Sequence, residues 1–584
     1  MKLIFTSILL LIFSQLFSQN WQWGKRIGSS VFIGPNSDTE NASDIATDKE
    51  GNIYVLGLVR VSGVVTADTH LVNTELISNA NNILLTSYSC DGTFRWSKII
   101  GAPAGAFAKS VQIDTMGGVY VLANLFMQVG VTGYIGDDTT LTNTGKSLYV
   151  MRFDSSGALD WLVSPQPDTI NFNNAFNNSM GVDMHVTPSG EVSVLALLPI
   201  GGNLNNTLVL QQPKLCIINY SSQGIFLNAH PMPITIQNFA TYRLSMNMTK
   251  SKNGNIIVSA YSFNPDVDSL KVAGDYVKRS FIASFSSTAQ LNWKHEFGIT
   301  AALDSLLGYF YKPSFYGRPI SDENNNLYFA GVCGNGDTLA GHLFVNNLTT
   351  NLAFMPFLIK LNAAGNLIWA QNASVNYPSN CFDIALNGNK IGVTGSYPGI
   401  LRWQNSSLSL NHNVNQGRDP FIAIFNAENG NCLSLDSITG VNGFDEEGKW
   451  LTADGNSNFV VAGNFSTYLV VANDGLQAAG DSDYFIAKYG DENCIFETPN
   501  GITTINKDEQ FALYPNPGTG NFILQSSENI DKIEIIDLNG RTIESWKPKN
   551  VNLVSFEFNQ NGVYFLKATM TDKVLVKRFV NLDF

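Results

Sequence analysis

The residues best suited to chemistry in this sequence are acidic. Asp445-Glu446-Glu447, just after Phe444, is a compact carboxylate run. Carboxyl groups held close together titrate apart, which suits acid and base roles on a sugar, and their oxygens suit calcium. Three adjacent acidic residues in a loop are nevertheless expected to be solvated charge. Calcium is the one cofactor left open, and no catalytic residue is assigned. Asp419 and Asp483 stand just ahead of two similar segments, 420–425 and 484–489, and that recurrence points to a turn role. His70, His185, His230, His295, His342 and His412 each stand alone, without the HExxH or HxH spacing of a zinc or copper centre. Neither a GxSxG nucleophile motif nor a phosphate-cradling glycine loop occurs. Cys90, Cys216, Cys333, Cys381, Cys432 and Cys494 include no CxxC pair and are too scattered for a disulfide framework. Cys432 and Cys494 fall at similar places in successive repeats, which suggests shared ancestry and not a bridge.

Whatever chemistry exists must be positioned by a repeat. Asp44–Gly57 (DIATDKEGNIYVLG) returns six times along the chain, with turn positions Gly51, Gly117, Gly190, Gly254, Asn325, Gly388 and Ser457. Their spacings are 66, 73, 64, 71, 63 and 69 residues. Each copy is a strand, a turn rich in Gly, Asn or Asp, and a second strand of apolar residues. A second pattern follows about thirty residues later, as in Leu148–Trp161 and Phe357–Trp369. Four strands per unit, seven times over, predicts a seven-bladed β-propeller. The seventh unit stops at Tyr484–Cys494 without its tryptophan strand, while Trp23–Gly28 (WGKRIG) matches Trp96–Gly101 (WSKIIG). The N-terminal segment is therefore expected to close the ring, leaving no open sheet edge. Trp23, Trp96, Trp161, Trp293 and Trp369 recur at one repeat position and read as packing between blades.

The repeats resemble the β-propeller repeat family of exported bacterial proteins, in the GNIYV of Gly51–Val55 and the GxLxW of Gly365–Trp369. That resemblance implies a fold and says little about a ligand.

Charge density rises near the C-terminus, where the last 80 residues carry 19 charged side chains. Short strands broken by turns there suit a small Ig-like β-sandwich. Leu513-Tyr514-Pro515-Asn516-Pro517, then Asp537, Gly540 and Arg541, then Gly562 and Tyr564, then Lys577 and Arg578 occur in order. This set resembles the type A C-terminal sorting domain of the type IX secretion system. The resemblance implies partnership with that machinery, passage across the outer membrane, and a secreted or surface-bound product, with attachment to lipopolysaccharide after cleavage as one outcome.

Lys2 and the apolar run Leu3–Phe13 predict a signal peptide at 1–19, before a propeller at 20–495, a linker at 496–510 and a sorting domain at 511–584. No later stretch has the ~18 apolar residues of a transmembrane helix. A net charge of -13 and no basic cluster argue against a nucleic-acid partner. The expected function is a secreted or surface propeller binding a glycan or a protein, more a binding module than an enzyme. The alternatives are a polysaccharide-active enzyme using carboxylates in the central channel, and a structural envelope component.

Overall fold

A computed structural model divides the chain into two units, residues 1–495 and 496–584. It describes residues 20–490, Cys494 and residues 511–581. Excepted in the first span are 31–39, 61–63, 73–80, 128–130, 137–138, 142–147, 166–178, 205–206, 237–243, 263–269, 278–279, 299–312, 349–353, 411–416, 442 and 481. Excepted in the second are 517, 538–539, 550 and 571–573. The expected signal peptide and linker, His412 and Pro517 lie outside the described residues.

All described elements are strands. The first unit is a ring of seven antiparallel sheets. Blade 1 runs outward through Asn41–Thr47, Ile53–Arg60, Asn81–Tyr88 and Phe94–Gly101. The inner strands of blades 2 to 6 are Ala106–Ile113, Met180–Val186, Leu244–Lys250, Ile320–Ser321 and Asn380–Asn387. Blade 7 consists of Glu447–Ala453, Phe459–Phe465, Asp483–Gly490 and, outermost, Asn20–Ser29. The N-terminal strand pairs antiparallel with Asp483–Gly490, from Asn20 opposite Gly490 to Ile27 opposite Tyr484. First strands touch one another in turn round the ring, and the seventh meets the first.

Burial explains the strand sequences. Second strands such as Val119–Leu125 are buried along their whole length, between sheets on both faces, so they read as unbroken apolar runs. All seven turn residues have positive φ, including Asn325 (61°) and Ser457 (66°). Tight turns join strands 1 to 2 and 3 to 4, whereas strands 2 and 3 are separated by 15 to 22 residues. Antiparallel order puts every long connection, and every crossing to the next blade, on one face of the ring.

Tryptophans seal the seams. The Trp96 indole donates to the Ser155 carbonyl of the next blade (2.9 Å), as Trp161 does to Ser222 (3.0 Å) and Trp293 to Ala363 (3.0 Å). Each ring lies over a glycine; a Cβ on Gly157 would come within 2.9 Å of Trp96.

Two features were not expected. Cys90 and Cys494 form a disulfide across 404 residues of sequence, tying the end of blade 7 to blade 1. The cysteines, too scattered for a disulfide framework, still supply this one bridge, because closing a ring brings together residues that sequence spacing keeps apart. Cys432 is free. In addition, every connection between strands 2 and 3 carries a short hairpin, such as Val65–Ala67 with His70–Leu71 and Leu270–Val272 with Asp275–Val277. Six of them pair with the outer strand of the preceding blade or with the segment just after it, and the blade 3 hairpin, Gly201–Asn203 with Leu208–Leu210, has no such pairing among the described residues. Val65–Ala67 pairs with Ile27–Ser29, Tyr134–Ile135 with Ile100–Gly101, and Leu270–Val272 with Ile234–Ile236. Leu401–Arg402 pairs with Ser374–Val375 and Leu469–Val470 with Thr439–Gly440, while Thr338 bridges to Gly298.

The second unit is a sandwich of a three-stranded sheet (Phe511–Tyr514, Asn521–Ile530, Val551–Glu557) and a four-stranded sheet. The latter comprises Thr542–Trp546, Lys532–Ile536, Gly562–Thr569 and Val574–Asn581. Leu513, Phe522, Leu524, Ile533, Leu566 and Phe579 are central to its core.

Candidate functional site

One repeat column builds the centre of the propeller. Asp44, Ser110, Asp183, Asn247, Arg318, Asp383 and Trp450 each stand four residues before the residue that opens the first turn of their blade. Arg318 crosses the axis from blade 5. Its Nε donates to Asp183 Oδ1 and Oδ2 (3.1 Å each) and its Nη2 to Asp44 Oδ2 (3.0 Å) and Ser110 Oγ (3.3 Å). Local sequence frees it to do so. Pro319 has no ladder N–H, so the inner strand of blade 5 shrinks to Ile320–Ser321. The Asn247 amide donates to the carbonyls of Tyr316 (2.9 Å) and Gly317 (3.1 Å), steadying the segment. Gly317 lets it press on blade 6, where a Cβ would lie 2.6 Å from Asp383 Oδ1.

The axial carboxylates also stitch neighbouring blades. Asp44 Oδ2 accepts the N–H of Val111 (2.8 Å), Asp183 Oδ2 that of Met248 (2.7 Å), and Asp383 Oδ2 that of Leu451 (2.9 Å). Burial pushes the Asp44 carboxyl up, against the pull of Arg318. Burial likewise pushes Asp383 to about 7, opposed by the Leu451 N–H and Arg318. His185 is driven down to about 4 by burial, then by Lys250 and Arg318. Carboxylates from blades 1, 3 and 6 thus converge on the axis, with their oxygens engaged by backbone amides.

The acidic run behaves differently from expectation. Asp445 is exposed and Glu447 half-buried, but Glu446 is 0% exposed. The Glu446 N–H donates to the Arg418 carbonyl (2.9 Å), which turns the side chain inward beside Asp419 at the seam of blades 6 and 7. Among the described residues, neither Glu446 carboxyl oxygen has a hydrogen-bond partner. Burial, then Asp419 and Asp445, push this carboxyl up to about 9. The seam of blades 7 and 1 holds a matching pair, Asp483 and Glu40. There Arg26 donates to Asp483 Oδ2 (2.5 Å) and the Ser29 N–H to Glu40 Oε2 (2.5 Å). Burial raises both carboxyls, Glu40 to about 8, while Arg26 opposes the rise at Asp483.

The remaining candidates lie apart. His70 stacks on Phe94 (4.5 Å) and His295 meets the Gly365 carbonyl (2.8 Å). Among the described residues, no three His, Cys, Asp or Glu side chains form a group able to hold a metal. Nor does any described helix have the length and apolarity to cross a membrane.

In the second unit, Leu513 is buried and Tyr514 exposed. Tyr514 precedes a cis bond to Pro515. Asn516 acts as a surrogate strand residue, donating to the Arg578 carbonyl (2.9 Å) and accepting from the Val580 N–H (3.0 Å). Asp537 accepts from the Arg541 N–H (2.9 Å) and faces its guanidinium (3.3 Å), with Gly540 at φ 80° in the same turn. The Tyr564 hydroxyl donates to the Asn561 carbonyl (3.2 Å), beside Gly562. Lys577 and Arg578 lie on the last strand, opposite Leu566 and Phe565.

Residues 22–58 match the beta-propeller repeat family and residues 512–581 match the secretion system C-terminal sorting domain. This is an exported propeller-repeat protein with a type IX sorting domain. The sorting domain directs export to the cell surface or extracellular space and implies contact with the secretion machinery. No curated protein matches the chain. Similar solved structures are remote. A protein of unknown function from Bacteroides caccae has 11% identity, covering 60% of this chain and 93% of that one, with a TM-score of 0.28. The extracellular domain of a putative one-component system from B. thetaiotaomicron has 10% identity over 96% and 98%, with a TM-score of 0.19. A putative glycoside hydrolase from Bacteroides ovatus has 9% identity over 54% and 88%, with a TM-score of 0.22. Scores this low carry no argument about activity.

Proposed function

We propose that the exported propeller is a non-catalytic binding module that takes a glycan or protein ligand on the face built from its long connections. The observation that carries this reading is the crown of hairpins on that face. Leu71, Val209, Tyr276 and Leu343 take equivalent outward places on the hairpins of blades 1, 3, 4 and 5 and are each more than half exposed. Apolar and aromatic side chains on a rigid rim suit recognition of a sugar face or a protein surface. The axial carboxylates support binding over hydrolysis, because Arg318 and backbone amides occupy oxygens that acid-base catalysis needs.

Glycan-array binding and polysaccharide digestion by the purified protein test this reading. Saturable binding without new reducing ends is expected, weakened by Tyr276→Ala. New reducing ends would overturn it and make Asp383 the first residue to replace.

A further inference from the structure

We propose that the Cys90–Cys494 bridge is a site of thiol–disulfide exchange with an external protein dithiol, attacked at Cys494 and leaving at Cys90. The two sulfurs differ in access. Cys90 is 1% exposed, whereas Cys494, the last described residue of the propeller unit, is half-buried. An incoming thiolate therefore attacks Cys494 Sγ. The S–S bond breaks, its electron pair passes to Cys90 Sγ, and the partner is held in a mixed disulfide with Cys494. The partner's second thiolate then attacks its own first sulfur, expelling Cys494, and the partner departs as a disulfide. Its two thiol protons go to solvent, from which Cys494 takes one up. Run backward, the same steps install the bridge from an oxidised partner. The rate of opening rises with the stability of the leaving thiolate.

Lys488 is placed to stabilise that thiolate. Its Nζ lies 2.8 Å from Cys90 Sγ and 3.6 Å from Cys494 Sγ, and its side chain is wholly buried. It also donates to the Cys90 carbonyl (3.3 Å) and pairs with Asp454 Oδ2 (3.0 Å). Asp454 is itself held by other donors, the N–H groups of Asn456 (2.8 Å) and Asn458 (3.1 Å) and the Asn458 amide (2.7 Å). The ammonium is therefore shared between carboxylate and sulfur. A cation beside a thiol lowers its pKa and makes it a better leaving group.

Blade 5 shows what the repeat does without sulfur. Lys360 holds the place of Lys488 and pairs with Asp322 (3.9 Å). It donates to the carbonyl of Ala427 (2.9 Å), which holds the place of Cys90. Lysine, acid and carbonyl thus belong to the repeat, and the cysteines are set against a cation that the repeat already supplies. The pairing of Asn20–Ser29 with Asp483–Gly490 does not depend on the bridge, so exchange can run while the ring stays closed. The site is independent of any ligand taken by the hairpin face.

The test uses the purified full chain. Reduced glutathione, followed by an acid quench and peptide mapping, should place the first adduct on Cys494; an adduct mainly on Cys90 would overturn the proposal. Reduction by dithiothreitol in native buffer should outpace global unfolding, measured separately in urea. A bridge lost no faster than the chain unfolds would be a sealed structural bond, against the proposal. Lys488→Met should slow reduction at least about tenfold, and Lys488→Arg should restore most of the rate. A Lys488→Met chain that is folded yet reduced as fast as wild type would count against the leaving-group role. Because that variant strands Asp454, a second readout needs no lysine change. Ultraviolet thiolate absorbance of the reduced wild type, referenced to reduced Cys90→Ser, should show Cys90 titrating below the ~8.5 of an ordinary thiol, with Lys488 lowering it against Asp454. Titration at or above that value would overturn the proposal.

Discussion

Arg318 is the residue on which most of the axial chemistry depends. Its guanidinium faces carboxylates 274 and 135 positions away in sequence, and both are almost wholly buried. Removing one partner of such a cluster leaves charge without compensation, so Arg318→Ala is expected to cost about 3–5 kcal/mol, measured by urea unfolding. Arg318→Lys should recover part of the loss, because a point charge cannot span both carboxylates as the planar fork does. The carboxyls also set a pH dependence. Glu40 (raised to about 8) and Asp383 (raised to about 7) hold protons more tightly folded than unfolded, so stability should fall as pH climbs from about 4 through 8. His185, lowered to about 4, works in the other direction and loses stability as pH drops from 6.5 toward 4. Tm measured across pH in EDTA should therefore peak on the acidic side of neutral; a peak above pH 8 would contradict these assignments. Little of this was readable beforehand. Asp44, Ser110, Asp183 and Arg318 share a column only after the repeats are aligned on their turns, and unlike side chains in a column do not announce a cluster. Glu446 read as solvated because its neighbours are polar, yet a single backbone bond to Arg418 turns it inward.

At the scale of elements, the blade strands were legible because a buried strand leaves an apolar run and a tight turn leaves glycine or asparagine. Gly51 and Gly117 carry that signal plainly. The crown hairpins left almost none. Their strands are two to four residues long, and the first turn residue with positive φ is Asp68, Leu204, Ala273, Ala340, Gln404 or Ala472 in six of them. Apart from Asp68, such residues do not look like turn formers, and outside blade 3 the pairing that supports the hairpins comes from the preceding blade. Ala340 sits at φ 48° with Gly341 next to it. Relieving that left-handed strain by Ala340→Gly is expected to raise stability by about 0.5–1 kcal/mol in chemical denaturation. A loss of similar size would mean that the Ala340 methyl group packs more than its backbone suffers.

The whole molecule is held shut twice at one seam, by the pairing of Asn20–Ser29 with Asp483–Gly490 and by the Cys90–Cys494 disulfide. The strand was foreseeable from the match of Trp23–Gly28 to Trp96–Gly101, since likeness between segments survives any distance along the chain. The disulfide was not, because cysteines carry no record of their partners. Replacing both cysteines with serine should lower unfolding stability by about 2–5 kcal/mol while leaving the sheet content seen by circular dichroism unchanged. Loss of sheet signal at room temperature would instead make the bridge a condition of folding.

Closure at that seam also gives the chain a built-in proof of length. Apart from the three residues that pair with Val65–Ala67, the N-terminal strand waits for its partner until residues 483–490 exist, and the export address follows only after them. A polypeptide broken off anywhere in between keeps a bare hydrogen-bonding edge and lacks the tag for secretion. Truncated products are thus marked at one end for aggregation or proteolysis and denied exit at the other, with no separate inspector needed.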